Sequence, residues 1–220
     1  GIPWVNDRDA VATSRNKAGV IATLARAGLP VPETRVVSNP ASDGDVAAAA
    51  ADLGFPVVVK PNSATRGIGV AKVHDADSLS GVTDYADLVH DFQATGDKSY
   101  LLQEYLPDAR DYRLMVVDGA VVGGVERRLP DAARDAGGWK HNVHRGATAV
   151  AADPDDELRE LAVETAAVLD IDYLGVDILV SEDRAVVSET NARPTIDDAK
   201  YAAGFWDRLA GVIRRTAEGG

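Results

Sequence analysis

The chain has 220 residues, a net charge of −12, 45% apolar residues and no cysteine. That length and apolar content allow one large domain or two small lobes with a real core, and the missing cysteine excludes thiol catalysis, disulfides and Cys-based zinc sites. The acidic balance argues against nucleic-acid binding, and with no run of ~20 apolar residues and no signal-peptide pattern the expectation is a soluble, cytoplasmic protein with no membrane partner.

Residues 7–27 read as one capped helix closed by Gly28, followed by the extended stretch Leu29-Pro30-Val31-Pro32. Val36-Val37 is a short strand, residues 42–53 an amphipathic helix ending at Gly54, and residues 55–60 a β-branched buried strand. A glycine-containing turn over residues 63–70 leads to another strand, residues 75–97 are helical, and residues 100–106 are strand-like. A lobe boundary falls there, giving lobes of 1–99 and 100–220. Asp118-Gly119 is a strong hairpin signal between strands 112–117 and 120–125, and a polar, glycine-bearing segment covers 130–147. Residues 155–169 form a helix with Leu158, Leu161, Ala162, Thr165 and Val168 on one face. A second hairpin joins 173–180 to 185–190, and residues 199–216 close the chain as a helix. The pattern predicts an α+β protein of two lobes with mostly antiparallel sheets. The charge is also skewed, with 26 Asp against 9 Glu and 17 Arg against 6 Lys. Such a surface suits a protein kept soluble in high salt, a halophilic source; a GC-rich genome gives the same bias.

Four groups of residues carry chemistry. Glu189 and Asn191 lie two apart on a strand and share a face, and if the hairpin loop has an odd number of residues, centred on Asp183, Asp177 sits opposite Glu189. Two carboxylates among Val and Ile are costly to bury without a cation, and oxygen donors alone suit Mg²⁺ or Mn²⁺. Lys60 ends a buried strand, where it can act as a point charge for phosphate or snorkel to water, and Gly67 and Gly69 follow with backbone N–H groups. The segment Gln103-Glu104-Tyr105-Leu106 is either a plain edge strand or one whose backbone reads an adenine edge. The loop Trp139-Lys140-His141-Asn142-Val143-His144-Arg145-Gly146 is dense in polar groups, and Lys140 and Arg145 are suited to anions.

In this order, the segments resemble the ATP-grasp superfamily and, within it, the RimK-like glutamate ligases. The matching pieces are Gly1-Ile2-Pro3 with Asn6, Arg15-Asn16-Lys17, Ala27-Gly28-Leu29-Pro30-Val31-Pro32, Val59-Lys60-Pro61, Gly67-Ile68-Gly69-Val70, Gln103-Glu104-Tyr105-Leu106 and Asp111-Tyr112-Arg113. They continue with Glu126-Arg127-Arg128, residues 142–146, Gly175-Val176-Asp177-Ile178-Leu179 and Glu189-Thr190-Asn191-Ala192-Arg193-Pro194. The resemblance implies an ATP-grasp fold with ATP in the cleft between two lobes. It implies that Lys17 and Lys60 contact the ATP phosphates, that Glu104, Tyr105 and Leu106, with Gln103, form the adenine hinge, and that Asp111 lies toward the ribose. It further implies a lid at Gly67 and Gly69, Lys140 facing the triphosphate, Arg113 and Arg145 joining it as catalytic cations, and two Mg²⁺ ions on Asp177, Glu189 and Asn191.

The implied activity is an ATP-dependent ligase that joins an amino acid, glutamate first, to a carboxylate acceptor through an acyl phosphate. The acceptor could be a small molecule, a coenzyme or a protein tail, and a homo-oligomer is allowed. A non-turnover ATP-binding module and a small-molecule kinase are the alternatives. Lys140 stands where the family has Arg, and Arg193 and Thr195 replace small residues around the Asn-Pro motif. Strands that family members carry before Gly1-Ile2-Pro3 are not in this sequence, so the expectation is a shortened chain, trimmed or working without that domain.

Overall fold

A computed structural model describes residues 3–38, 41–64, 67–92, 99–141, 146–182, 184–194 and 201–219. The chain forms two compact units, Pro32–Pro107 and Gly1–Val31 joined with Asp108–Gly220. The division therefore differs from a single cut after residue 99. The opening helices belong with the second half because Val20, Leu24 and Leu29 are buried in its core, and because the Val187 N–H donates to the Pro30 carbonyl at 2.9 Å.

The smaller unit has a four-stranded antiparallel sheet in the order β1 (Thr34–Ser38), β4 (Ser99–Glu104), β2 (Val57–Pro61), β3 (Ala71–Val73). Two helices, α3 (Asp43–Leu53) and α4 (Ala76–Phe92), cover one face. Ser42 starts α3 by accepting from the Asp45 N–H, and Gly54 ends it at a positive φ that a side chain would strain. Val57, Val59, Val73, Tyr100 and Leu102 alternate inward against Val46, Ala50 and Leu79 of the helices. By the same alternation, Val58, Lys60, Leu101 and Gln103 point to the opposite face.

The larger unit is built on a five-stranded antiparallel sheet in the order β7 (Thr148–Ala151), β6 (Ala120–Arg128), β5 (Arg110–Val117), β8 (Tyr173–Val180), β9 (Ala185–Asn191). Its helices are α1 (Arg8–Arg15), α2 (Lys17–Arg26), the short α5 (Asp131–Asp135), α6 (Asp156–Leu169) and α7 (Phe205–Glu218). The expected helix over 7–27 is thus two helices. Asn16 leaves helical geometry at ψ 87, and its side chain caps α2 through the Gly19 N–H at 3.0 Å. The last helix begins at Phe205 rather than near 199, after Gly204 at φ 89. Strand β7 and helix α5 lie in or beside a stretch that gave no periodic signal. On α6, Val168 is exposed, and Ala166 and Leu169 complete the buried face.

Each face of this sheet has its own core. Tyr112, Leu114, Val116, Leu174, Val176 and Ile178 pack against α2 and α6. Leu174, Val176 and Ile178 are fully buried, each contributing roughly 1.5–3 kcal/mol. On the other face Met115, Val117 and Val122 pack under Phe205, Leu209 and Val212 of α7. That apolar cover stops partway along the strands, and charged residues occupy the rest of the face. Among the described residues, no helix is long and apolar enough to cross a membrane.

Candidate functional site

Strand pairing lays the charged residues out as a grid. Arg127 of β6 stands opposite Asp111 of β5, Arg113 of β5 opposite Asp177 of β8, and Asp177 opposite Glu189 of β9. One step along, Met115 faces Gly175, and Gly175 faces Asn191. Alternation puts all of these on the α7 side of the sheet. Asp177 does face Glu189 as expected, but not through an odd loop. Val180 pairs with Ala185 across four residues, and a bulge at Ser188 then shifts the register. Without the bulge Glu189 would share the face of Val187, inside the apolar core; the extra residue turns it to the charged side.

Asp177 is buried and doubly held. Arg113 grips it in a bidentate pair, Nε to Oδ1 at 2.6 Å and Nη2 to Oδ2 at 2.7 Å, and Arg127 Nη2 lies 3.0 Å from Oδ2. The same Arg127 Nη2 donates to Asp111 Oδ1 at 2.5 Å. Two buried carboxylates thus share two guanidinium groups. Burial alone would raise the Asp177 carboxyl, but Arg113 and Arg127 outweigh it and hold it below the usual range. Burial wins at Asp111, which is pushed up to about 7 against the pull of Arg127. Asp177 raises the Arg113 guanidinium, and Asp177 and Asp111 raise Arg127 despite its burial. His141 Nδ1 is 3.9 Å from Asp111 Oδ2, and burial, with Arg127 nearby, lowers its pKa and favours the neutral ring. The Arg127 Nε–H is buried without a partner among the described residues.

The donor set fits a hard divalent cation. Asp177, Glu189 and Asn191 present side-chain oxygens in adjacent registers; Arg113 and Arg127 hold the Asp177 oxygens and Lys17 lies 3.2 Å from Glu189 Oε1, positions a cation would share or take over. The Asn191 Oδ1 accepts from the Arg193 N–H at 2.9 Å, which fixes the amide and leaves a second lone pair on the oxygen. Among the described residues no three His, Cys, Asp or Glu side chains come together as ligands.

The remaining expected residues fall as follows. Lys17 is buried at the start of α2 with Nζ 3.2 Å from Glu189 Oε1, so it joins the same face. Lys60 is buried on β2 in the smaller unit. Gly67 and Gly69 both have positive φ, and a Cβ on Gly69 would lie 2.7 Å from the Pro61 Cγ, so only glycine permits that approach. Gln103 Nε2 donates to Thr34 Oγ1 at 2.9 Å, and Glu104 Oε1 accepts from the Glu33 N–H at 2.7 Å. Both side chains are tied into the sheet, and β4 is an interior strand between β1 and β2 rather than an edge strand, with the Glu104 N–H donating to the Glu33 carbonyl at 3.0 Å. Lys72 Nζ sits 4.4 Å from the Tyr105 ring centre, and Leu106 is half-buried just beyond β4. Lys140 lies over the Trp139 ring at 5.3 Å. Arg145, Thr195 and residues 142–144 lie outside the described residues.

Sequence reasoning gave no role to Arg127, His141 or Ser14. Arg127 could have been found by alternation, since it stands two residues from Val125 on a strand paired with Asp111 and Arg113. Ser14 had no signal while 7–27 was read as one helix.

A family model described as the RimK-like ATP-grasp domain matches residues 14–205. A probable alpha-L-glutamate ligase of Enterobacter sp. (strain 638) is 33% identical over 202 residues, covering 91% of this chain and 63% of that protein. A ribosomal protein bS6–L-glutamate ligase of Shigella boydii serotype 4 (strain Sb227) is 32% identical over 218 residues, covering 97% and 67%. The chain thus spans about two thirds of the length of the curated relatives it matches. Among solved structures, a D-alanine–D-alanine ligase from Bacillus anthracis aligns with a TM-score of 0.71 at 17% identity, covering 96% of this chain and 70% of that one. The ATP-grasp ligase PsnB, in complex with a phosphomimetic variant of a minimal precursor, Mg and ADP, aligns with a TM-score of 0.63 at 20% identity, covering 96% and 62%. At these identities the two structures speak for the fold.

Proposed function

Since the chain belongs to the RimK-like ATP-grasp family, we propose that it is an ATP-dependent carboxylate–amine ligase that adds glutamate, or another amino acid, to an acidic acceptor. The observation that carries this reading is the charged sheet face where Asp177, Glu189 and Asn191 stand in adjacent registers beside Arg113 and Arg127. Those three side chains would hold Mg²⁺ or Mn²⁺, two ions in the family's arrangement, supplying charge neutralisation at the phosphates. Arg113 and Arg127, now spent on Asp177, have the planar fork that suits phosphate oxygens. Lys17, Lys60 and Lys140 add point charges and Arg145 a further guanidinium. The turn at Gly67 and Gly69 offers backbone N–H groups, residues 103–106 take the adenine, and Asp111 lies toward the ribose.

In the reaction an acceptor carboxylate oxygen takes the γ-phosphoryl group and ADP leaves. The amine nitrogen then bonds to the carbonyl carbon, the C–O bond to phosphate breaks, and the amine proton passes to solvent. The protein's share is positioning and charge stabilisation rather than covalent chemistry. Exposed Arg193, beside the metal-ligand strand, is assigned to an acidic acceptor.

The test is to incubate the protein with ATP, Mg²⁺ and glutamate plus ribosomal protein bS6 or small acidic acceptors, following ADP and product mass. Acceptor-dependent ADP with a mass gain of one glutamyl residue is expected. ADP with a phosphorylated acceptor and no amide would make it a kinase, and no acceptor-dependent ADP would contradict ligation.

A further inference from the structure

The end of β9 is held from outside its own sheet. Asn191 lies between Thr190 and Ala192, and both neighbours are buried. The Ala192 N–H donates to the Ser14 Oγ at 2.9 Å, and the Ser14 and Thr190 hydroxyls are 3.2 Å apart. The Ala192 carbonyl accepts from Asn6 Nδ2 at 2.7 Å, and the same amide nitrogen donates to the Tyr173 carbonyl at the start of β8, at 2.6 Å. Both polar groups of Ala192 are thus taken by side chains 178 and 186 residues away. Ser14 is the buried residue of α1, in the helix's last turn before Asn16. Asn6 keeps this position although its Oδ1 is buried without a partner among the described residues, a cost that only its two donated bonds offset.

Backbone ladder bonds alone would not fix this point. Asn191 is the last residue of an edge strand, paired on one side with Gly175, and ladders fray at such ends. The side-chain grips fall on the two residues flanking Asn191, and the Arg193 N–H holds its Oδ1. They do nothing comparable for the strand's other end at Ala185.

We infer that Ser14 and Asn6 are positioning residues for the metal-ligating end of β9: they clamp Ala192 so that the Asn191 oxygen is presented to the cation. This rests on the metal reading of Asp177, Glu189 and Asn191. Outer partners that orient ligands typically change metal affinity by roughly 10–100-fold. The affected quantity is affinity for the cation rather than for the nucleotide.

The experiment measures two affinities on each variant: the Mn²⁺–ADP complex, followed by water-proton relaxation, and ADP alone in chelator, followed by calorimetry. Asp177→Asn should lose the Mn²⁺-dependent gain in affinity; if that gain survives, the metal reading itself is wrong. Given that loss, Ser14→Ala and Asn6→Ala should weaken Mn²⁺–ADP about 10-fold or more, with ADP alone within about twofold of the parent. Ser14→Thr, which keeps the hydroxyl, should recover part of the loss. Thr165→Ala removes a buried hydroxyl that donates to the Leu161 carbonyl inside α6, and should lower Tm without changing either affinity. Parent-like Mn²⁺–ADP binding in Ser14→Ala, or equal weakening of both affinities together with Tm, overturns the inference. Should Asn6→Ala fail to fold, Ser14→Ala decides alone.

Discussion

Neighbouring residues on β5 and β6 build two arginine–carboxylate clusters on opposite faces of the same sheet. Arg110, Glu126 and Arg128 form one; the next residues along, Asp111 and Arg127, with Arg113 and Asp177, form the other. In the first, Arg110 and Arg128 are 59% and 57% exposed and converge on one carboxylate, which they hold down to about 2. In the second, Arg127 is 10% exposed, and the two carboxylates are driven apart, Asp111 up and Asp177 down. Arginine and carboxylate side chains thus give one buried carboxylate under two exposed guanidinium groups, or two buried carboxylates on less exposed ones. Only the interior cluster stands beside oxygen donors and carries a buried N–H with no described partner, the marks of a group that can change partners.

The largest effect that could break this contrast is Asp177→Ala. It removes the bidentate partner of Arg113 and leaves Arg127 with Asp111 alone, and should destabilise the protein by about 3–5 kcal/mol in chemical denaturation; a cost near zero would mean the cluster is solvated. Arg127→Met should cost less, about 1–3 kcal/mol, because Asp111 can escape by binding a proton. Its carboxyl, already raised from 3.8 to about 7, would rise further. A raised carboxyl gives stability that is present at low pH and lost as pH rises, so the deficit of this variant should widen from pH 5 to pH 8.

Glu126→Gln, which removes a buried carboxylate held by two exposed arginines, should lower Tm at neutral pH by less than Asp177→Ala does. Its sign with pH is opposite. A carboxyl depressed from 4.5 to about 2 gives stability that is present above pH 4.5 and lost as pH falls toward 2, so parent and variant should converge in acid. The smallest effect concerns salt. Molar KCl should shrink the Glu126→Gln difference more than that of Asp177→Ala, since the arginines of the first cluster are exposed to screening. The Asp-rich surface further predicts that the parent's Tm rises from low to molar KCl; unchanged melting would remove the high-salt reading.

Periodicity was enough for most of the fold. The hairpin at Asp118 and Gly119 needs positive φ at both residues, and both have it, at 52° and 67°. The valine run at 57–59 could only be a buried strand, and two antiparallel sheets follow from the two groups of elements. What stayed hidden depended on single residues acting against the local pattern. Asn16 breaks a good helical period through its own cap, and Ser188 shifts a ladder that looked regular. The assignment of residues 1–31 to the second half arises from long-range packing of Val20 and Leu24, which no local window contains. At the site, Glu189 and Asn191 were legible as a pair because same-face spacing is a local property, whereas Asp177 comes opposite Glu189 through the bulge at Ser188. The arginine clamp on Asp177 was not, because it joins strands 64 residues apart in sequence.

Calorimetric titration of the protein with ATP, in the presence and absence of Mg²⁺, for the parent and for Asp177→Asn tests the central claim most directly. The charged face as a nucleotide–metal site predicts Mg²⁺-dependent ATP binding in the parent and its loss in the variant. Equal ATP binding by both, or binding that does not depend on Mg²⁺, would contradict it.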